Sequence, residues 1–120
     1  MLDAHRPGTT YGRILQACEE AYAAVGHPGA WREHHQGGPI GYRQREFEIA
    51  PSQSDSRWFS QPLQLGHAVA WNPSIAGGGK CEDTFVVEEA GLRSVTETGT
   101  WPRIEREGMR PRPGVLEIAT

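Results

Sequence analysis

The stretch "HHQGGPIGYRQRE", His34 to Glu46, sets two adjacent imidazoles in front of a glycine-rich bend and a charged tail. Imidazole is a common metal ligand and titrates close to neutral pH, so the stretch reads as a candidate metal or acid–base site. Geometry restrains that reading. Neighbouring residues on a strand point to opposite faces, so His34 and His35 do not readily hold one ion. A structural zinc site takes four nitrogen or sulfur ligands at close spacing. Cys81 and His35 can meet only through the fold, and nothing local brings them together. The plain alternative is that each histidine is a hydrogen-bonded loop residue.

Other glycine-rich stretches carry less. In "AGGGK", Ala76 to Lys80, Ser74 stands where a phosphate-binding loop has its first glycine, and Cys81 stands where it needs Ser or Thr. "GGPIG", Gly37 to Gly41, follows no strong strand and precedes no helix, so a dinucleotide fingerprint fails. No GxSxG elbow is present.

One helix and several short strands must position these residues. Tyr11, Ile14, Leu15, Cys18, Tyr22 and Val25 recur at helical spacing and form one apolar face. Thr9 and Thr10 offer the N-cap hydroxyl, Gly26 suits the C-cap and Pro28 stops continuation. Later apolar runs are short and bounded by Gly, Pro, Ser and Asn. "REFEI" (45–49), "HAVAW" (67–71), "TFVVEE" (84–89) and "LRSVTET" (92–98) read as strands, the last two as a hairpin turning at Gly91. "PSQSDSRWFSQPLQ" (51–64) reads as a loop. The class is α+β, one main helix on a curved, mainly antiparallel sheet.

A chain of 120 residues supports one domain with a modest core. Only 37% of residues are hydrophobic, with 15 Gly and 9 Pro, so much of the chain is loop and a missing partner surface is plausible. A net charge of -3 gives no basic face for nucleic acid. Cys18 and Cys81 form no CxxC pattern, which fits a reducing, cytoplasmic setting without disulfides. No apolar run approaches membrane-span length, and "MLDAHRPGTT" has no apolar signal-peptide region.

Three segments in order, "HHQGGPIGYRQRE", "LGHAVAWNPSI" and "GKCEDTFVVEEAGLRSVTETGTWP", resemble the C-terminal half of the pita-bread metallopeptidases, the family of methionine aminopeptidase, aminopeptidase P, prolidase and creatinase. The most specific part is Glu82-Asp83-Thr84, an apolar strand, Gly91 and "SVT"; "RPGTTYGRIL" is similar to the family's Pro-Gly-x-Thr helix. The resemblance runs from about Arg6 to Pro102. It implies a partial pita-bread fold spanning residues 1–120, with the family's N-terminal strands absent. On that reading the chain is a fragment, needing a homodimer or the missing half to complete its core.

The family's chemistry uses two divalent ions (Mn, Co, Zn or Fe) held by two Asp, one His and two Glu, which activate a bridging water against a peptide bond. The resemblance sets the Asp pair before this chain begins. It sets the ligand His on Gly38, a second prolidase-type His on His34, the substrate-contacting His on Arg45 beside a retained Glu46, and the first ligand Glu on Asn72. Glu82 alone keeps its ligand identity. Shifting His35 into the ligand position requires a three-residue gap. The implied function is a peptidase-like domain, related to Xaa-Pro aminopeptidases and prolidases, that has lost its metal and needs no cofactor. An active metal-dependent aminopeptidase in a longer chain is the alternative. So is a creatinase-like hydrolase, in which His34 or His35 with Arg45, Glu46 and Glu82 forms a metal-free pocket for a peptide or small molecule. Trp31, Trp71 and Trp101 then offer aromatic walls.

Overall fold

The α-helix forms where the apolar spacing and the capping residues coincide. The computed structural model describes residues 1–50, 57–108 and 110–118. Helix α1 spans Tyr11–Ala24, and the Thr10 hydroxyl accepts from Arg13 N at 3.3 Å, satisfying one of the free first-turn amides. At the other end His27 N bonds Tyr22 O and Gly26 N bonds Ala23 O, with Gly26 at φ +86°. This is a Schellman closure, and the left-handed position is why glycine stands there. The buried face is Tyr11, Ile14, Ala17, Cys18 and Tyr22. Val25, expected on that face, lies one residue past the helix and is 64% exposed.

Four strands form an antiparallel sheet in the order β1-β2-β3-β4: β1 (Gly37–Ile40), β2 (Ala68–Trp71), β3 (Asp83–Glu88) and β4 (Gly91–Ser94). The hairpin from β3 to β4 turns through Glu89 and Ala90 and closes on the pair Glu88–Gly91. Alternation along β2 and β3 sends Val69, Trp71, Phe85 and Val87 to one face. There they join Tyr11, Ile14, Ile49, Leu63 and Leu92 in the main core. A second cluster of Cys18, Tyr22 and Trp31 continues the core beyond the sheet. A separate two-stranded ribbon, β5 (Arg103–Ile104) with β6 (Arg112–Pro113), follows the sheet, and Trp101 Nε1 donates to Gly114 O beside it. The coarse class is therefore the expected one, a small α+β domain with one α-helix among the described residues and an antiparallel sheet.

Two strand expectations are corrected. "GGPI", read from sequence as a bend, is strand β1. The "REFEI" segment is no strand; it runs beside β1 through Glu46 N to Pro39 O, Ile49 N to Gly37 O and Gln36 N to Ile49 O. Close approach explains the glycines. Gly37 has φ +116° and backs onto Ala70 O. Gly38 has φ +148°, and a Cβ there would lie 2.6 Å from Phe47 O. The 92–98 strand is shorter than expected and ends at Ser94. Of the expected 51–64 loop, residues 51–56 lie outside the described residues, and Arg57–Ser60 form a 3-10 turn.

β4 is the last strand of its sheet, and its open edge is not bare. Arg6 donates to Ala90 O and Arg110 donates to Leu92 O. Among the described residues no helix is long and apolar enough to cross a membrane.

Candidate functional site

The register defines two faces of the sheet. Gly38 pairs with Ala70, and Ala70 pairs with Thr84, so these three look away from the Val69–Trp71–Phe85–Val87 core. Asn72 follows β2 and Glu82 precedes β3, each one residue beyond the strand and continuing the same even-numbered series. Gly38, Asn72 and Glu82, remote in sequence, are thus brought toward one end of the sheet.

The side chains there are committed to one another. With its amide nitrogen turned toward the carbonyls, Asn72 donates to His35 O at 2.9 Å and Gln36 O at 3.3 Å, and its oxygen accepts from His35 Nε2 at 3.2 Å. The reverse orientation sets an N–H₂ against that imidazole nitrogen and both carbonyls against the amide oxygen, so the turned one is the stable arrangement. His35 therefore carries its proton on Nε2. Burial is the main cause that lowers its pKa below the usual histidine value, and His34, Arg45 and Lys80 add to the lowering. His34 and His35 do not point to opposite faces as a strand would require. They follow a 3-10 turn, Ala30–Glu33, and their rings stack with centroids 4.3 Å apart.

The remaining expected site residues divide. Arg45 pairs with Glu48. Glu46 accepts from Arg43 N at 3.2 Å and holds the bend that follows β1. Glu82 is paired with Lys80 at 3.6 Å, but its side chain is 57% exposed, so it is not the buried carboxylate a metal site would make of it. Trp31 and Trp71 are buried in the two core clusters and wall no pocket on this face. Trp101 lines a different cleft.

Gln36 is a member of this region that carries no sequence signal. Its Nε2 donates to Trp31 O at 2.9 Å and His34 O at 2.8 Å, while its Oε1 lies 2.9 Å from the Tyr22 hydroxyl. Asn72 N donates to Gln36 O. One buried amide thus fixes the end of α1, the histidine turn and the end of β2 relative to each other.

A dinuclear metal site does not fit these residues. Gly38 has no donor and no room for one, the Asn72 amide is neutral and fully engaged, and Glu82 is paired with a cation. Two dications need anionic charge that this face does not supply. Among the described residues no three His, Cys, Asp or Glu side chains cluster closely enough to hold a metal ion.

The other side of the β3 end holds a second polar group. Asp83 is 8% exposed; Arg112 meets it at 3.1 Å and the Thr96 hydroxyl donates to it at 2.9 Å. Cys81 Sγ lies 3.7 Å from the same carboxylate, and burial with the Asp83 charge raises its thiol pKa, so the thiol stays protonated and unreactive at neutral pH. Cys81 is therefore beside Asp83 and Arg112. Sequence reasoning missed this group because its members come from three separate segments. The chain matches no family model and no curated protein.

Proposed function

We propose that the chain is a peptidase-like domain, related to the Xaa-Pro aminopeptidases and prolidases of the pita-bread family, that has given up metal catalysis and keeps its polar sheet face for binding a peptide or small polar molecule. The observation that carries this reading is the Asn72–His35 clamp. At the position where the resemblance calls for an anionic ligand stands a neutral amide whose donors and acceptor are already used. Supporting it are Gly38, closed to any side chain by Phe47 O, and Glu82, turned to solvent with Lys80. His34, stacked on His35, and Arg45, whose charge reaches that ring, remain as polar groups near the clamp, and Glu46 holds the bend after β1.

Dialysis against Mn, Co or Zn followed by metal analysis tests the proposal, together with an assay on Xaa-Pro dipeptides. The expected result is substoichiometric metal and no cleavage. One tightly held equivalent of metal per chain, lost in Glu82→Gln, would sink it.

The neutral, low-pKa imidazole of His35 favours a second, creatinase-like reading, in which it exchanges a proton with a small guanidino substrate without metal. Hydrolysis of such a substrate that disappears in His35→Gln would establish this reading in place of the first.

A further inference from the structure

On the core side of the sheet, between the helix end, β3–β4 and the β5–β6 ribbon, lies an open cleft of about 910 Å³. Its walls are mainly apolar and include Tyr22, Ile75, Phe85, Leu92, Trp101 and Val115. That volume and character are those of a small-molecule site. The charged groups on the cleft are matched in pairs: Lys80 with Glu82, Asp83 with Arg112, and Arg103 with Glu97. Arg110 is the exception. Its guanidinium donates to Leu92 O and has no carboxylate partner among the described residues. It also lines a recess of about 190 Å³ where Arg106 and Arg112 converge with Ile104, and Arg106 likewise has no ion pair among the described residues.

We infer that this cleft binds an apolar monocarboxylic acid, its hydrocarbon or aryl body against the exposed Trp101, Ile104 and Val115 over the buried Phe85 and Leu92, and its carboxylate on Arg110. The charge pattern selects the headgroup. A partly buried guanidinium without a counterion is completed by one planar anion, which it holds through two parallel N–H donors. A neutral ligand leaves that cation uncompensated, and a cationic one adds repulsion. The apolar walls select the body, because a small hydrophilic anion leaves them wet. Glu82 and Lys80 border this cleft, but neither His35 nor Asn72 lines it, so the inference does not rest on the peptidase-like reading.

The test is titration of the full, nitrogen-labelled chain with phenylbutyrate, and in parallel with phenylbutanol and phenylbutylamine, followed by proton–nitrogen correlation spectra. Phenylbutyrate is expected to saturate, moving the Trp101 indole N–H and the Leu92 and Arg110 amides. Phenylbutanol is expected to bind about tenfold more weakly, the worth of one charge-assisted hydrogen bond. Arg110→Gln should reduce acid binding by about the same factor and leave the alcohol unchanged. Because Arg110 also caps Leu92 O, a second variant is needed. Val115→Glu, at an exposed position on the cleft wall, should weaken the acid and favour the amine without touching the core. Equal binding of acid and alcohol, shifts confined to other surfaces, or no saturation at millimolar acid would each overturn the inference. So would cleft signals that move on protein dilution alone, which would make a second copy of the chain the occupant.

Discussion

The imidazole of His5 stands edge-on to the indole of Trp71, with ring centroids 5.1 Å apart and planes at 75°. His5 is fully buried, its Nδ1 faces Met1 O and Leu2 O at 3.3 and 3.2 Å, and its Nε2 has no partner among the described residues. The neutral form with the proton on Nδ1 satisfies this geometry. Burial, against those backbone bonds, holds its pKa down to about 4.

That arrangement makes stability pH-dependent in a defined window. The unfolded chain takes up the His5 proton near 6.5, the folded chain only near 4, so between those values the unfolded state binds more protons. Stability is full above about pH 6.5 and falls as the pH drops toward 4, by on the order of 3 kcal/mol. His35, also lowered, adds in the same direction. Urea melts at a series of pH values should show this slope, and His5→Phe, which keeps the packing on Trp71, should flatten most of it.

Gly38 should refuse any side chain. Its φ of +148° and the 2.6 Å approach of Phe47 O to a Cβ position give Gly38→Ala two independent penalties, together about 2 kcal/mol or more. Gly38→His, which would place a histidine where the proposed peptidase-like reading calls for a ligand, is expected to lower the melting temperature and gain no metal. Thermal melts with and without Zn read both.

Asn72→Asp should report on the clamp. It replaces two amide donors by a carboxylate beside the His35 imidazole, so the charged imidazolium is favoured and the His35 pKa rises. Histidine proton NMR across a pH titration measures this. An unmoved His35 with displaced His34 signals would mean that the amide contact is not the one that governs His35.

The Asp83–Arg112 pair ties the terminal ribbon to the sheet. Arg112→Met leaves the buried carboxylate with Thr96 and Cys81 alone. The expected cost is about 1–3 kcal/mol, below that of a fully buried pair because the arginine is 31% exposed. Limited proteolysis should then cut near Arg103 faster than in the parent chain, while α1 stays protected.

What the sequence made legible was local. The helix could be read because apolar period, Thr10 and Gly26 agree over one continuous stretch, and the β3–β4 hairpin because Gly91 separates two apolar runs. β1 was not legible. Gly-Gly-Pro opposes strand propensity, and only the flanking backbones of β2 and of residues 46–49 make it extended. The His35–Asn72 clamp joins residues 37 positions apart, and His5 is a lone histidine with no pattern around it, so neither leaves a trace in spacing. The histidine stack escapes the strand alternation rule because residues 34 and 35 follow a 3-10 turn and lie outside any strand.

The two arginines on the outer edge of β4 have a consequence for crowded solutions. An unoccupied strand edge is a template onto which another polypeptide can add by backbone pairing, and the addition propagates into fibrils. Arg6 and Arg110, arriving from opposite ends of the chain, occupy Ala90 O and Leu92 O and bring positive charge to that border. A like-charged border repels its own copy, and an incoming strand must first displace both guanidinium groups. The same two side chains that hold the chain ends in place thereby guard the protein against edge-to-edge polymerisation.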